Sequence, residues 1–255
     1  MRLFSQELQK IIASGYTRAI ALTAFLVGIV LTVFDGVGFL AEPERAQDAT
    51  QVANLYTDTV YLAWIFPAVL GILLMTSEFR WGTAVQTFLQ TPRRGVVVTW
   101  KMLAATLGGV IVALSSLAGA FLAATVILQV VGEPSTPEWG RLIGGSVGLI
   151  LVGITTAPLG VAVGALVRSQ LVALGVFIGW VLLVEQVAAL VFGPVGVFLP
   201  GAMIPVAVSL EWTAADLTGI FDQAVTPLSA ALYLGVEAAL MGVIASYTTL
   251  RRDID

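Results

Sequence analysis

The sequence predicts an all-α membrane protein with six transmembrane helices, an N-terminal interfacial helix, and short re-entrant outer helices before the last span. Three observations predict it. First, hydrophobic residues make up 58% of the 255 residues and charged residues only 11%, with a mean hydropathy of +0.97. A soluble domain carries roughly 25% charged residues and cannot hide so much apolar surface, whereas a bilayer is itself an apolar solvent. Second, six stretches approach the ~20 mostly apolar residues that a spanning helix needs. Third, the basic residues segregate to one side of those stretches.

The first span is expected at Ala19–Leu40 and the second at Thr59–Thr76. The third, Met102–Val131, is long enough to tilt or to pass the headgroups. The fourth is Leu142–Val167, with Pro158 expected to kink it. The fifth is Leu171–Phe192 and the sixth Leu228–Leu250. The G-x-x-x-G pairs Gly144/Gly148, Gly160/Gly164 and Gly175/Gly179 let helix backbones approach closely, within one chain or at a dimer seam.

Between these spans, Arg2, Lys10, Arg18, Arg80, Arg93, Arg94, Lys101, Arg168, Arg251 and Arg252 fall on one side. Only Arg45 and Arg141 fall on the other, which collects Glu42, Glu44, Asp48, Asp58, Glu133, Glu138, Glu211, Asp216 and Asp222. The positive-inside rule then places both termini in the cytoplasm of a cell bounded by an inner (plasma) membrane. Six spans agree with two termini on one side. The net charge of -4 hides this asymmetry.

The chain reads as a single transmembrane domain, 1–255, with three segments that are neither spans nor turns. Residues 1–17 form the interfacial helix: Leu3, Phe4, Leu8, Ile11 and Ile12 share one face, and only Glu7 interrupts it. Residues 78–100 form a cytoplasmic segment. Residues 193–227, broken by Pro194, Pro200 and Pro205, are too interrupted for one span yet strongly apolar from Val195 to Leu210. They read as short helices that dip back into the outer leaflet.

Several kinds of chemistry are excluded. The chain has no Cys and no His, so disulfides, His-ligated haem, zinc sites and Ser-His or Cys-His nucleophiles are absent. Lys10 follows Gln9 and Lys101 follows Trp100, and neither fits the phosphate-binding G-x-x-x-x-G-K-[ST]. The chain is therefore not expected to be an enzyme, to bind a cofactor or metal, or to bind nucleic acid.

Two carboxylates interrupt apolar spans. Glu185 and Glu237 sit at similar heights in the fifth and sixth. Such groups face protein or water, as part of a substrate or ion pathway or as helix contacts; both readings stay open. Asp35 marks the outer end of the first span.

Between the second and third spans the chain reads Glu78-Phe79-Arg80-Trp81-Gly82-Thr83-Ala84-Val85-Gln86-Thr87-Phe88-Leu89-Gln90-Thr91-Pro92-Arg93-Arg94, with Lys101 entering the third span. Glu78, the Gly82-Thr83 pair, Leu89, the Thr91-Pro92-Arg93 run and Lys101 resemble the permease subunits of type-2 ATP-binding-cassette (ABC) exporters. Trp81 departs from that pattern, which more often has a polar residue there. Physically, Thr83–Leu89 can form two turns with Val85, Phe88 and Leu89 on one side, and Thr91-Pro92 ends them. Glu78 is expected to pair with a nearby Arg.

The resemblance implies a membrane-spanning permease of an ATP-driven exporter. Two such chains, identical or homologous, would form the pathway, and separate ATP-binding subunits holding ATP and Mg would dock below. Glu78, Arg80, Gly82, Thr83, Val85, Phe88, Leu89, Pro92 and Arg93 would couple to the ATPase. Exporters of this kind move drugs, antibiotics, lipids, glycans or ions, and the apolar lining here favours a hydrophobic or amphiphilic compound, as in multidrug efflux. The alternative is an ion- or proton-coupled secondary transporter using Glu185 and Glu237, with no ATPase.

Overall fold

The computed structural model describes residues 2–57, 59–83, 89, 94–132, 134–192, 199–208 and 227–247. Every regular element among them is helical. Helix α1 (Arg2–Ala13) stops at Ser14, whose extended backbone and side-chain oxygen cap the next helix; Ser14 Oγ accepts from the Tyr16 N–H at 3.1 Å. The interfacial helix therefore ends four residues before the expected boundary at residue 17, and α2 (Gly15–Ala41) begins earlier than Ala19. Along α2, Leu22, Leu26, Val30, Val33, Val37 and Leu40 are exposed at helical spacing, the face a lipid-embedded helix offers to acyl chains.

A short 3₁₀ turn (Pro43–Gln47) and α3 (Ala49–Thr57) follow, where the pattern shows no helix. They cover the end of the bundle remote from Glu78, where Ala46, Val52 and Leu55 pack with Phe39 and Leu128. A second 3₁₀ turn (Thr59–Trp64) leads into α4 (Ile65–Arg80). Because α4 runs to Arg80, both Glu78 and Arg80 belong to it. Helix α5 spans Arg94–Val131, so residues 94–100 also leave the expected connecting segment, which narrows to 81–93. At 38 residues, α5 is about 57 Å long at about 1.5 Å per residue, well beyond a hydrocarbon core of about 30 Å.

Helix α6 (Trp139–Val167) runs through Pro158 and ends at Arg168 in the left-handed conformation, φ 60°. Helix α7 (Gln170–Gly179), a π turn (Trp180–Val184) and α8 (Glu185–Phe192) form one divided run. This run coincides with the expected fifth span, and its apolar part Gln170–Val184 is shorter than the other candidates. Helices α9 (Pro200–Val208) and α10 (Pro227–Tyr247) complete the described fold. Of the expected re-entrant segment, α9 and Leu199 are described; the rest of 193–226 lies outside the described residues.

Five helical stretches are long and apolar enough to cross a membrane: Gly15–Ala41, Ala49–Arg80, Gly95–Val131, Trp139–Val167 and Leu228–Tyr247. The chain is a multi-pass membrane protein. Helix α6 is central, packing on α4, α5, α9 and α10, whereas α2 lies on the flank against α5. Glycines set the close approaches. A Cβ on Gly160 would strike the Ala68 carbonyl of α4, and one on Gly109 the Gly153 carbonyl of α6. Of the G-x-x-x-G pairs, Gly160 and Gly164 pack on α4 and Gly148 on α9. Gly175 and Gly179 meet nothing within 4 Å.

Candidate functional site

Four charged side chains from three helices converge at the basic end of the bundle. Helix α1 supplies Glu7 and Lys10, one turn apart on the face that also buries Ile11. The last turn of α4 supplies Glu78, and the second turn of α5 supplies Lys101. Lys101 Nζ donates to Glu7 Oε2 at 2.7 Å and to Glu78 Oε1 at 2.8 Å. Lys10 Nζ donates to Glu7 Oε1 at 2.6 Å and to the same Glu78 oxygen at 3.0 Å. Two carboxylates and two ammonium groups thus form a closed, neutral quartet.

Burial makes the quartet consequential. Lys101 is 2% exposed, Glu7 6% and Glu78 8%. Removing charges from water costs several kcal/mol per ion, offset only by good geometry and hydrogen bonding. Here every charge has two partners. Burial alone would raise the Glu7 carboxyl, but Lys101 and Lys10 outweigh it and hold it below the ordinary 4.5. Burial alone would lower Lys10, but Glu7 and Glu78 outweigh it and hold it above 10.5. The interfacial helix is therefore fastened by charge to the two helices that flank residues 81–93.

Glu78 pairs with two lysines, not with an arginine as the sequence suggests. Arg80 points elsewhere: its Nη1 donates to Gln170 Oε1 at 3.1 Å, and its guanidinium lies 5.5 Å from the Trp81 ring centre. Gly82 takes φ +69° with open space around it, a turn that L residues adopt rarely. Thr83 Oγ1 donates to the Glu78 carbonyl at 3.5 Å. Leu89 is 79% exposed. Val85, Phe88, Pro92 and Arg93 lie outside the described residues. Sequence reasoning missed Glu7 and Lys10 as site residues. The signal for Glu7 was a carboxylate on an apolar helix face, matched in the fold by Lys101 near the start of an apolar span; Lys10 carried no such mark.

Glu185 sits elsewhere in the fold, 4% exposed where the π turn meets α8. Its Oε1 accepts from Trp180 Nε1 at 2.8 Å, and its Oε2 accepts from the Gly201 N–H at 2.7 Å, in the first turn of α9. Five residues apart on an α-helix lie on different faces; the π turn, with the Glu185 N–H bonded to the Trp180 carbonyl, stacks them. The carboxylate also meets the positive end of α9. Glu237 stands on α10 within coulombic reach of Glu185, and its Oε2 finds no hydrogen-bond partner among the described residues. Asp35 lies inside α2, within reach of Arg45.

Among the described residues no group of three His, Cys, Asp or Glu can hold a metal ion. No protein-family model matches the chain, and no curated protein matches it.

Proposed function

We propose that this chain is the membrane-spanning permease subunit of an ATP-driven ABC exporter. It crosses the membrane six times with both termini cytoplasmic, and residues 193–227 re-enter the outer leaflet. The observation that carries the reading is the quartet beneath the segment that resembles the exporter family. Glu78 and Lys101 bracket residues 81–93, and both are tied to α1 through Glu7 and Lys10. A push on that segment is therefore passed to the interfacial helix and to α4 and α5 together, rather than being lost in a loose loop. Such rigid coupling is what a permease driven by a separate ATPase requires.

In this reading two permeases, copies or homologues, form the pathway. Two ATP-binding subunits seat the 81–93 segment, with Phe88 and Leu89 as apolar anchors. The exported compound is hydrophobic or amphiphilic, in keeping with the apolar spans. The alternative, an ion-coupled transporter built on Glu185 and Glu237, is weakened by the partners of Glu185. Both of its oxygens are engaged by protein donors, which is the arrangement of a structural latch.

The test is co-expression with a stand-alone ATPase that carries a phosphate-binding loop, sought in the gene next to this one. The ATPase is expected to co-purify, and Phe88→Ala to uncouple hydrolysis from export while insertion is unchanged. Transport by the chain alone, driven by a proton gradient without ATP, would overturn the proposal.

A further inference from the structure

A recess of about 530 Å³ opens at the basic end of the bundle, between the last turn of α4 and the tight turn that joins α6 to α7. Arg80 comes from α4, Arg168 and Ser169 from the turn, and Gln170, Leu171 and Leu174 from the start of α7. No carboxylate is among its described walls. Its polar side chains are donors. Gln170 spends its carbonyl oxygen on Arg80 Nη1, at 3.1 Å, which leaves it only amide N–H groups to offer. Ser169 stands at the cap position of α7, yet its hydroxyl makes no cap bond. Beyond Gln170 and the Trp81 ring, Arg80 has no partner among the described residues. Two guanidiniums, an amide and a hydroxyl suit an anion with several acceptor oxygens, which a phosphate group provides.

The backbone at Arg168 points the same way. It ends α6 in the left-handed conformation, φ 60°, where glycine is the usual residue. Its guanidinium lies 5.9 Å from the centre of the Phe79 ring, the residue before Arg80. An arginine kept where glycine would suit the chain better is explained by a use for its charge.

The surroundings decide which phosphate. Leu171 and Leu174 give the recess an apolar wall, and Leu171 is 82% exposed. Ile178, also exposed, continues that face of α7. The apolar run Gln170–Val184 begins at the recess, so the recess lies where that run leaves the hydrocarbon, at the depth of lipid headgroups. Trp81, exposed beside Arg80, is a residue type enriched at that depth. A soluble anion has no use for the apolar wall.

The geometry points to a binding site for an anionic phospholipid of the leaflet at the basic end. Arg80 and Arg168 hold its phosphate, and its acyl chain leaves along Leu171 and Leu174. The site shares no residue with the quartet and needs no ATPase, so it survives or fails independently of the transport reading.

The full chain, purified and placed in vesicles, is exposed to phosphatidylglycerol or phosphatidylcholine carrying a photoreactive group near the glycerol end of one acyl chain. Phosphatidylglycerol is expected to label the segments around Arg80 and from Ser169 to Leu174 about tenfold more than phosphatidylcholine. Arg80→Gln and Arg168→Gly are each expected to cut that labelling about tenfold, the cost of one charge-assisted contact. Glycine takes φ 60° without strain, so Arg168→Gly removes the charge and keeps the turn. Arg18→Gln, an exposed arginine at the same end of the bundle, is expected to leave the labelling unchanged, as is an excess of inorganic phosphate. Equal labelling by the two lipids, labels mapping elsewhere in the wild-type chain, or an equal loss in Arg18→Gln would each overturn the proposal. Displacement by inorganic phosphate would overturn it in favour of a soluble anion. Intact labelling in both site variants with loss of a co-purified ATPase would overturn it in favour of a protein seat. Mapping on the wild-type chain keeps the test decisive even where a variant inserts poorly.

Discussion

Lys101 and Lys10 hold the same two carboxylates and differ in exposure, which separates their energetic weight. Lys101 is buried with both partners, so Lys101→Met leaves the two buried carboxylates of Glu7 and Glu78 to share the half-exposed Lys10. Breaking a buried pair in this way costs about 3–5 kcal/mol. The Lys10 side chain is 50% exposed, and loss of a water-screened pair costs about 1 kcal/mol or less. Thermal unfolding in detergent is expected to rank Lys101→Met far below Lys10→Met, and equal losses would refute the assignment of Lys101 as the keystone. The pH response follows from the signs of the shifts. Glu7 is held below its ordinary value, so its contribution is full above about 4.5 and fades as pH falls through its lower folded value. Lys10 is held above its ordinary value, so its contribution is full below 10.5 and fades only at higher pH. Because the chain has no cysteine, a single Ile12→Cys label on the exposed side of α1 reports its docking. Its mobility is expected to stay constant from about pH 5 to about pH 10, and to rise in stronger acid.

At the scale of elements, two helices are positioned by contacts remote in sequence. Helix α9 is fixed to the divided α7–α8 run by the Glu185 carboxylate on the Gly201 N–H. Gly201 admits that approach only because it lacks a Cβ, which would collide with Glu185 Oε2. Gly201→Ala is therefore expected to cost about 1–3 kcal/mol, the usual range for overpacking, and to expose α9 to proteolysis. Gly175→Ala, on a helix face that meets nothing within 4 Å, is expected to be near neutral in the isolated chain. Loss of a dimer in that variant, with the monomer's stability intact, would place the α7 face at the subunit seam. Glu185→Gln tests the latch against the pathway. Lost assembly supports the latch, while lost export with normal assembly supports a pathway role.

For the whole molecule, orientation is the property that the proposed function depends on. Reporter fusions near Glu44, Glu133 and Asp216 are expected on the outer side, and any one of them on the cytoplasmic side overturns the six-span arrangement. The sequence by itself determined that this is an all-helical, multi-pass membrane protein, because apolar runs of bilayer length are a property of local composition. It also located the C-terminal ends of α5 and α6 and the start of α10 to within a residue, but placed the start of α5 eight residues too late. The segment around Glu78 was legible as unusual, since a carboxylate at a membrane edge has no local reason. Its partners were not: Glu7, Glu78 and Lys101 lie far apart in the chain, and only the packing of α1 across α4 and α5 brings them within 3 Å. The π turn was hidden for the same reason. An apolar helix carries no local mark of where one extra residue enters a turn, and here the position is set by the bonds that Glu185 makes to Trp180 and to a helix sixteen residues away. Tertiary structure decided which charges meet, because pairing inside a low-dielectric bundle depends on distances between helices that no single helix encodes.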